Sequence, residues 1–541
     1  MAGCRHENCH RRLGRPLLAA ALAVLPFLPA ASGAADVDRW RSFDGRDNSL
    51  RDPAMGAAET PLARLAGHMY GDFISAPAGS NRPSAREISN GIAAQSAPGI
   101  NADGFSDFLW LWGQFVDHDL DLTGSAHPAE PFDIAVPRGD PFFDITATGK
   151  ATIAFRRAAW KPGTGTSRLN PRRQVNSITS WLDASNVYGS DATRADTLRA
   201  GKGKMRMGRG KMLPLNTWGL PNAGGSGATL YLAGDVRANE QTALTAMHTL
   251  WVREHNRIAR RIRKTHPGMG GREIYQRARS EVGALIQRIT YGEFLPALLG
   301  HDALAPYEGW DAAGDGSVAQ EFSTAAYRFG HSMVSPQILR LKRNGRPVPQ
   351  GHLSLRNAFF NPAALTETGL EPIFRGLAAQ RARANDNMVI DELRNFLFGP
   401  PGAGGFDLAA LNIQRGRDHG LATYYEARII FGLEPPRSFA DITSNAQVAA
   451  RLERLYGQVK KVDLWVGGLA EDHVGGSQLG GLFHTIVRDQ FERVRDCDRF
   501  WYERVYSGAE LDEIRNTTLA DVIRRNTRVG GELPDDVFRV N

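Results

Sequence analysis

The stretch WGQFVDHDLDLTG, Trp112 to Gly124, sets three carboxylates, Asp117, Asp119 and Asp121, around one imidazole, His118, behind an aromatic run. An imidazole among carboxylates can ligate a metal or move protons near neutral pH. Laid on a helix, Gln114, Asp117 and His118 share one arc, while Asp119 is turned a further ~100° away. One face then offers an amide, a carboxylate and an imidazole, and Asp119 serves something else. A helix end with solvated acids fits the same triplet, and spacing alone does not separate the two. A second segment, TSWLDAS, carries oxygen side chains at Thr179, Asp183 and Ser185, with carbonyls between them. Calcium takes six to eight oxygen ligands in flexible geometry, and Asp119 would add a carboxylate from elsewhere in the chain. A turn held by local Ser, Thr and Asp hydrogen bonds also accounts for the string.

Positioning such groups falls to helices. Apolar periodicity predicts them over 105–120, 239–264, 271–299 and 423–431. The second has Asn239 as N-cap and Glu240 in its first turn, and collects Arg and Lys at its far end, as the helix dipole favours. Alternating strand patterns are scarce. The Gly-rich stretches 199–230 and 399–405 read as surface connections. With no internal repeat and no clean linker, 36–541 is expected to form one large, mainly α domain with little β-structure.

The chain has 541 residues, of which 42% are hydrophobic and 9% aromatic, enough for a large core and against disorder of the whole. Residues 1–35 differ: Arg5, Arg11, Arg12 and Arg15 precede the apolar run PLLAAALAVLPFLPAA, which ends in small residues. That is the pattern of a cleaved secretory signal. The run is shorter than the ~20 residues of a spanning helix and contains Pro26 and Pro29, so export without a membrane anchor is expected, to the periplasm or the outside. Losing its four Arg and one Glu lowers the formal charge of +7 by three, too mild an excess to point to nucleic acid. Cys4 and Cys9 leave with it, which strands Cys497 and excludes an internal disulfide.

Six blocks occur in order: WGQFVDHDLDLT, NSITSWLDASNVYGS (176–190), RANEQTALTAMHTLWVREHNRIA (237–259), AYRFGHSMV (326–334), LNIQRGRDHGL (411–421) and DRFWYERV (498–505). Together they resemble the animal-type haem peroxidase family over nearly all of 40–541. The resemblance implies a single helical haem peroxidase domain that reduces hydrogen peroxide and oxidises halides, thiocyanate or small phenols.

It also implies roles. His118 falls on the distal histidine, whose neutral ring passes a proton between the peroxide oxygens. Gln114 falls on the distal amide that holds pocket water, and Arg237 on the arginine that stabilises charge as the O–O bond breaks. His331 falls on the axial ligand of the haem iron, and Asn412 on the residue whose carbonyl accepts from the other imidazole nitrogen. Arg328 and Arg415 match partners of the haem propionates. Asp117 and Glu240 match the pair that forms esters with the haem. Where members of highest potential carry a methionine after that glutamate, this chain has Gln241, which implies two esters, no sulfonium bond, and bromide or iodide ahead of chloride. Asp119, Thr179, Trp181 (by its carbonyl), Asp183 and Ser185 match the family's calcium ligands.

Two other classes compete. A haem-dependent fatty-acid dioxygenase resembling the cyclooxygenases needs a radical-forming tyrosine three residues before the proximal histidine. Arg328 stands there, with Tyr327 one place off, on a different helical face. A secreted matrix or adhesion module would not need Gln114, His118, Arg237 and His331 together. His248, His255, His419 and Cys497 read as packing residues, and Asp121 has no assigned task.

Overall fold

The computed structural model describes residues 39–95 and 99–540, so the expected export segment lies outside the described residues. Helices dominate. Among the described residues the β-structure comprises isolated bridges and three antiparallel pairs of two-residue strands, Thr60–Pro61 with Val175–Asn176, Ile134–Ala135 with Thr152–Ile153, and Gln337–Ile338 with Leu353–Ser354. No helix among the described residues is long and apolar enough to cross a membrane.

Helix α1, Phe108–Leu120, runs through the interior. Its sequence is apolar nearly all round, as a helix enclosed by neighbours must be. Only Gln114 and Asp117 escape full burial. Trp112 and Phe115 pack on Trp251 of α2, Thr242–Thr265, with ring centroids 5.9 and 6.3 Å apart. The α1 helix begins three residues later than expected, because Ser106 donates to the Val537 carbonyl and the Asp107 carboxylate accepts from Ser335.

The expected cap of α2 moves as well. Asn239 is consumed in a two-way bridge to the backbone of Tyr231, at 2.8 Å each way. Gln241 caps instead, its side-chain oxygen accepting from Ala243 N at 2.7 Å. Glu240 therefore precedes the helix rather than sitting in its first turn.

The expected helix 271–299 is three pieces: α3, Gly271–Ile289, a π-turn over Thr290–Phe294, and Leu295–Leu299. Pro296 cannot donate to the carbonyl four residues back, and the wider turn absorbs the break. The stretch 199–230 is only partly a surface connection, since Met205, Leu213 and Leu230 are buried. Gly203 at φ +74° lies against α3, where a Cβ would come within 2.5 Å of Ile274.

Helix α4, Leu408–Asp418, and α5, Tyr424–Ile430 with its Thr423–Glu426 capping box, follow. Arg86, fully buried, ties the 130–150 loop to the start of α4 through Asp140 and Asp407, both at 2.7 Å. Cys497 is buried and forms no disulfide among the described residues, with its thiol pushed up to about 12 by burial.

Candidate active site

Helix α1, the turn Ala326–His331 and α4 enclose a cavity of about 320 Å³. Gln114, Asp117 and His118 line one wall, Arg237 and Glu240 adjoin it, and Arg328 and His331 line another. Leu355, Phe359, Leu393, Leu397, Leu408 and Leu411 supply apolar sides. The sequence-predicted residues from four segments thus meet in one place, with Asn412 just behind His331.

On the α1 wall, Arg237 is held by Asp235, whose carboxylate accepts from its backbone N and Nε at 2.7 and 2.9 Å and from its guanidinium end at 2.8 Å. His118 Nδ1 lies 3.5 Å from the same carboxylate. Burial, then the Arg237 charge, holds the His118 imidazolium well below its ordinary range, so the ring is neutral near pH 7. Asp235, although buried, is kept below the usual carboxylate range chiefly by the Arg237 charge. Burial pushes Asp117 up to about 6 and Glu240 up to about 7, against the pull of Arg237 on both.

Gln114 is not free to hold water alone. Its Nε2 donates to Glu240 at 2.8 Å, and its Oε1 accepts from Gln241 Nε2 at 3.1 Å. Gln241, the departure from the family's methionine, thus caps α2 and anchors Gln114 with one amide.

Elsewhere in the lining, the turn Ala326–His331 is a 3₁₀-helix, so Arg328 and His331, three apart, share a face. Burial, then Arg328, lowers His331 to about 3, leaving a neutral ring. Asn412 differs from expectation. Its amide nitrogen, not its oxygen, faces His331 Nδ1 at 2.7 Å, because Arg328 donates to Oδ1 at 3.0 Å. Arg415 lines the cavity, but part of its fork is engaged by Asp418 at 2.9 Å and the Arg156 carbonyl at 3.0 Å. Tyr327 borders the cavity too, contrary to the expectation that it faces elsewhere.

Behind α1, Asp119 turns away from the cavity as helical geometry requires. It accepts from Ala184 N, Asn186 N and Ser185 Oγ at 2.9 to 3.1 Å. Asp183 Oδ1 accepts from Thr179 Oγ1 and Ser185 N, and its Oδ2 is buried without a partner. The Trp181 carbonyl accepts from Asp183 N at 2.9 Å. Burial raises both carboxyls, and Asp183 adds to the shift of Asp119, which reaches about 8.

The animal haem peroxidase family model matches residues 40–538. The chain belongs to the animal haem peroxidase family. Peroxinectin A of Dictyostelium discoideum is 37% identical, over 92% of this chain and 96% of its own length. A peroxidasin homolog of Mus musculus is also 37% identical, over 93% of this chain, which spans only 37% of that longer protein. Among solved structures, peroxidase A from Dictyostelium discoideum superposes with TM-score 0.86 at 35% identity, over 92% of this chain and 99% of that one. A fatty acid alpha-dioxygenase of Arabidopsis thaliana reaches TM-score 0.78 at 19% identity, over 93% and 83%, a likeness of fold alone.

A haem fits what this family member presents. Arg328 is half-buried, lines the cavity and forms no ion pair among the described residues, an arrangement suited to an anionic group such as a propionate. Two neutral histidines line the cavity among apolar side chains. Sequence reasoning missed Asp235, which positions Arg237 and approaches His118. Its only sequence signal is an acid two residues before an arginine, too common to single out.

Proposed function

We propose that the protein is an exported haem peroxidase that uses hydrogen peroxide to oxidise bromide, iodide, thiocyanate or small phenols. The observation that carries this is the cavity itself, with His118 and the Asp235-held Arg237 lining one part and His331 lining another. His331 would ligate the iron, Arg328 and Arg415 would meet the propionates, and Asp117 and Glu240 would supply the esters. Bound haem supplies the two-electron chemistry of peroxide reduction. His118, neutral, takes a proton from one peroxide oxygen and returns it to the other. The charge of Arg237, fixed in advance by Asp235, stabilises the oxygen that becomes negative.

Iron ligation through Nε2 requires the proton on Nδ1, and hence the oxygen of Asn412 facing the ring. An anion drawing Arg328 away would free that oxygen to turn. Gln241 supports two covalent links rather than three, which ranks chloride below the other halides. Asp119, Asp183, Thr179, Ser185 and the Trp181 carbonyl would bind calcium; the unpartnered Asp183 oxygen beside a second buried carboxylate supports that reading.

The test is haem reconstitution followed by absorption spectroscopy and rapid mixing with peroxide. A Soret band is expected, with loss of about 100-fold or more in the peroxide reaction of His118→Ala; an unchanged rate removes the role of His118. The fatty-acid dioxygenase reading keeps one observation in its favour, Tyr327 at the cavity. Oxygen uptake with palmitate and no halide oxidation would select it.

A further inference from the structure

The basic loop 199–213 supplies nothing to the cavity, yet it is built more firmly than a surface connection needs. Asn256 of α2 exchanges hydrogen bonds with the backbone of Met205, at 2.8 and 3.0 Å, and His255 Nε2 donates to the Gly203 carbonyl at 3.0 Å. Arg253 Nε donates to the Lys211 carbonyl at 2.9 Å, so the loop wraps the middle of α2. Lys202, Arg209 and Lys211 stand exposed on it, and Lys204 is half-buried. Arg260 and Arg263, four and seven residues beyond Asn256, lie on the same face of α2 beside the loop and are exposed too. None of these six cations forms an ion pair among the described residues. The acids nearest in the chain are taken: Asp196 pairs with Arg199 at 3.0 Å, Glu254 with Arg257 at 2.8 Å and with Arg525, and Glu273 with Arg277 at 3.2 Å. Surface charge commonly does no more than keep a protein soluble. Solubility does not account for where two of the lysines sit. The backbone is left-handed at Lys202, φ +63°, and at Lys211, φ +58°, conformations that glycine adopts without steric cost.

We propose that this loop and the adjoining face of α2 form a docking surface for a linear acidic polysaccharide. A chain of carboxylates or sulfates displaces small counterions from several of the cations at once, and release of those ions drives binding. The anchors to α2 hold the loop in place beforehand, so little order is lost on docking. Two observations set a polysaccharide ahead of a nucleic acid. The rings that border the patch are not open platforms: Arg206 covers one face of Trp218, 5.1 Å from the ring centroid, and Arg199 one face of Tyr275, at 4.7 Å. Single-stranded nucleic acids bind by stacking their bases on such rings. The second is the export proposed above, on which this choice of occupant rests, since an exported protein meets acidic polysaccharides. None of the six cations lines the cavity, so docking and peroxide chemistry use separate residues.

Binding of the haem-loaded protein to immobilised heparin, polygalacturonate and duplex DNA is measured from about 50 to about 200 mM salt. The parent should bind both polysaccharides, with an affinity that falls steeply as salt rises. The joint loop variant Lys202→Gln, Lys204→Gln, Arg209→Gln, Lys211→Gln should bind them about 10-fold or more weakly at the lower salt, with a shallower salt dependence. A control, Arg51→Gln, Lys150→Gln, Lys161→Gln, Arg346→Gln, removes the same charge from exposed positions elsewhere and should change binding by less than about threefold. The pair Arg260→Gln, Arg263→Gln should weaken binding by about threefold or more, which keeps the test decisive if the loop variant folds poorly. Iodide oxidation should persist in every variant and reports that each is folded. Equal losses in loop and control variants reduce the effect to net charge and overturn the surface, as does undiminished binding in both the loop and the helix variants. Tighter binding of duplex DNA through the same residues overturns the choice of polysaccharide. Export is tested apart from the surface, by fractionating the producing cells: a chain kept inside them overturns the polysaccharide as occupant, not the site-specific binding of heparin.

Discussion

Asp235 carries more of the site than its place in the sequence suggests. It makes three hydrogen bonds to Arg237 and approaches His118, so its charge fixes the two groups assigned to peroxide cleavage. Asp235→Asn keeps the shape but leaves the half-buried Arg237 guanidinium with Asp117, at 3.8 Å, as its remaining carboxylate partner. The loss is expected to stay below the ~3–5 kcal/mol of a fully buried pair and is readable as a lower denaturation midpoint. The peroxide reaction should slow by about 100-fold or more in rapid mixing; parent kinetics would show that Arg237 needs no holder. Gln241 is the second such residue. Gln241→Ala removes the α2 cap, at about 1 kcal/mol, and frees Gln114 and with it Glu240. The extent of haem esterification, read after denaturing extraction, should fall; full esterification would show that Gln114 does not orient Glu240. The resemblance marked residues that face a ligand. It was silent on Asp235 and on the cap at Gln241, because a supporting contact depends on the course of the backbone between Gly234 and Thr242, which no periodicity encodes.

At the scale of elements, α1 joins the cavity to the oxygen cluster behind it, and pH should reveal the join. In the metal-free chain burial, with Asp183 beside it, raises Asp119 from 3.8 to about 8, and Asp183 is raised too. The folded state then holds protons that the unfolded state has released. The stability this gives is complete below about pH 4 and is lost as pH rises towards about 8. The melting temperature of chelator-stripped protein should therefore drop between about pH 5 and about pH 8, and calcium should remove the drop with release of protons. A melting temperature indifferent to chelator at the upper pH would exclude a calcium role. Helical periodicity anticipated α1, α2 and α5 closely, since their apolar stripes are long or well capped. The π-turn over Thr290–Phe294 escaped it, although Pro296 was in plain view, because continuous apolar character masks a local change of turn.

For the whole molecule, function and stability pull apart at the cavity. Arg328 is half-buried and makes no ion pair among the described residues, so its partial desolvation is a cost that an anion would offset. Arg328→Met should leave the haem-free protein as stable as the parent or more so, yet weaken haem retention, measured by transfer of haem to an acceptor protein; retention equal to the parent would sever Arg328 from the haem. Haem itself should raise the melting temperature of the parent, as any ligand of the folded state does. The mainly α class was legible because strand alternation was scarce. The course of the loops that close the cavity was not, since it is set by packing between distant segments. Of the thirteen residues of α1, only Gln114 and Asp117 are left outside full burial, and both already have partners in the cavity. Natural drift and laboratory evolution thus have almost no silent positions on this helix. New donor preferences must arise in the walls contributed by 355–411, where leucines and phenylalanines can be exchanged without disturbing the proton-handling groups.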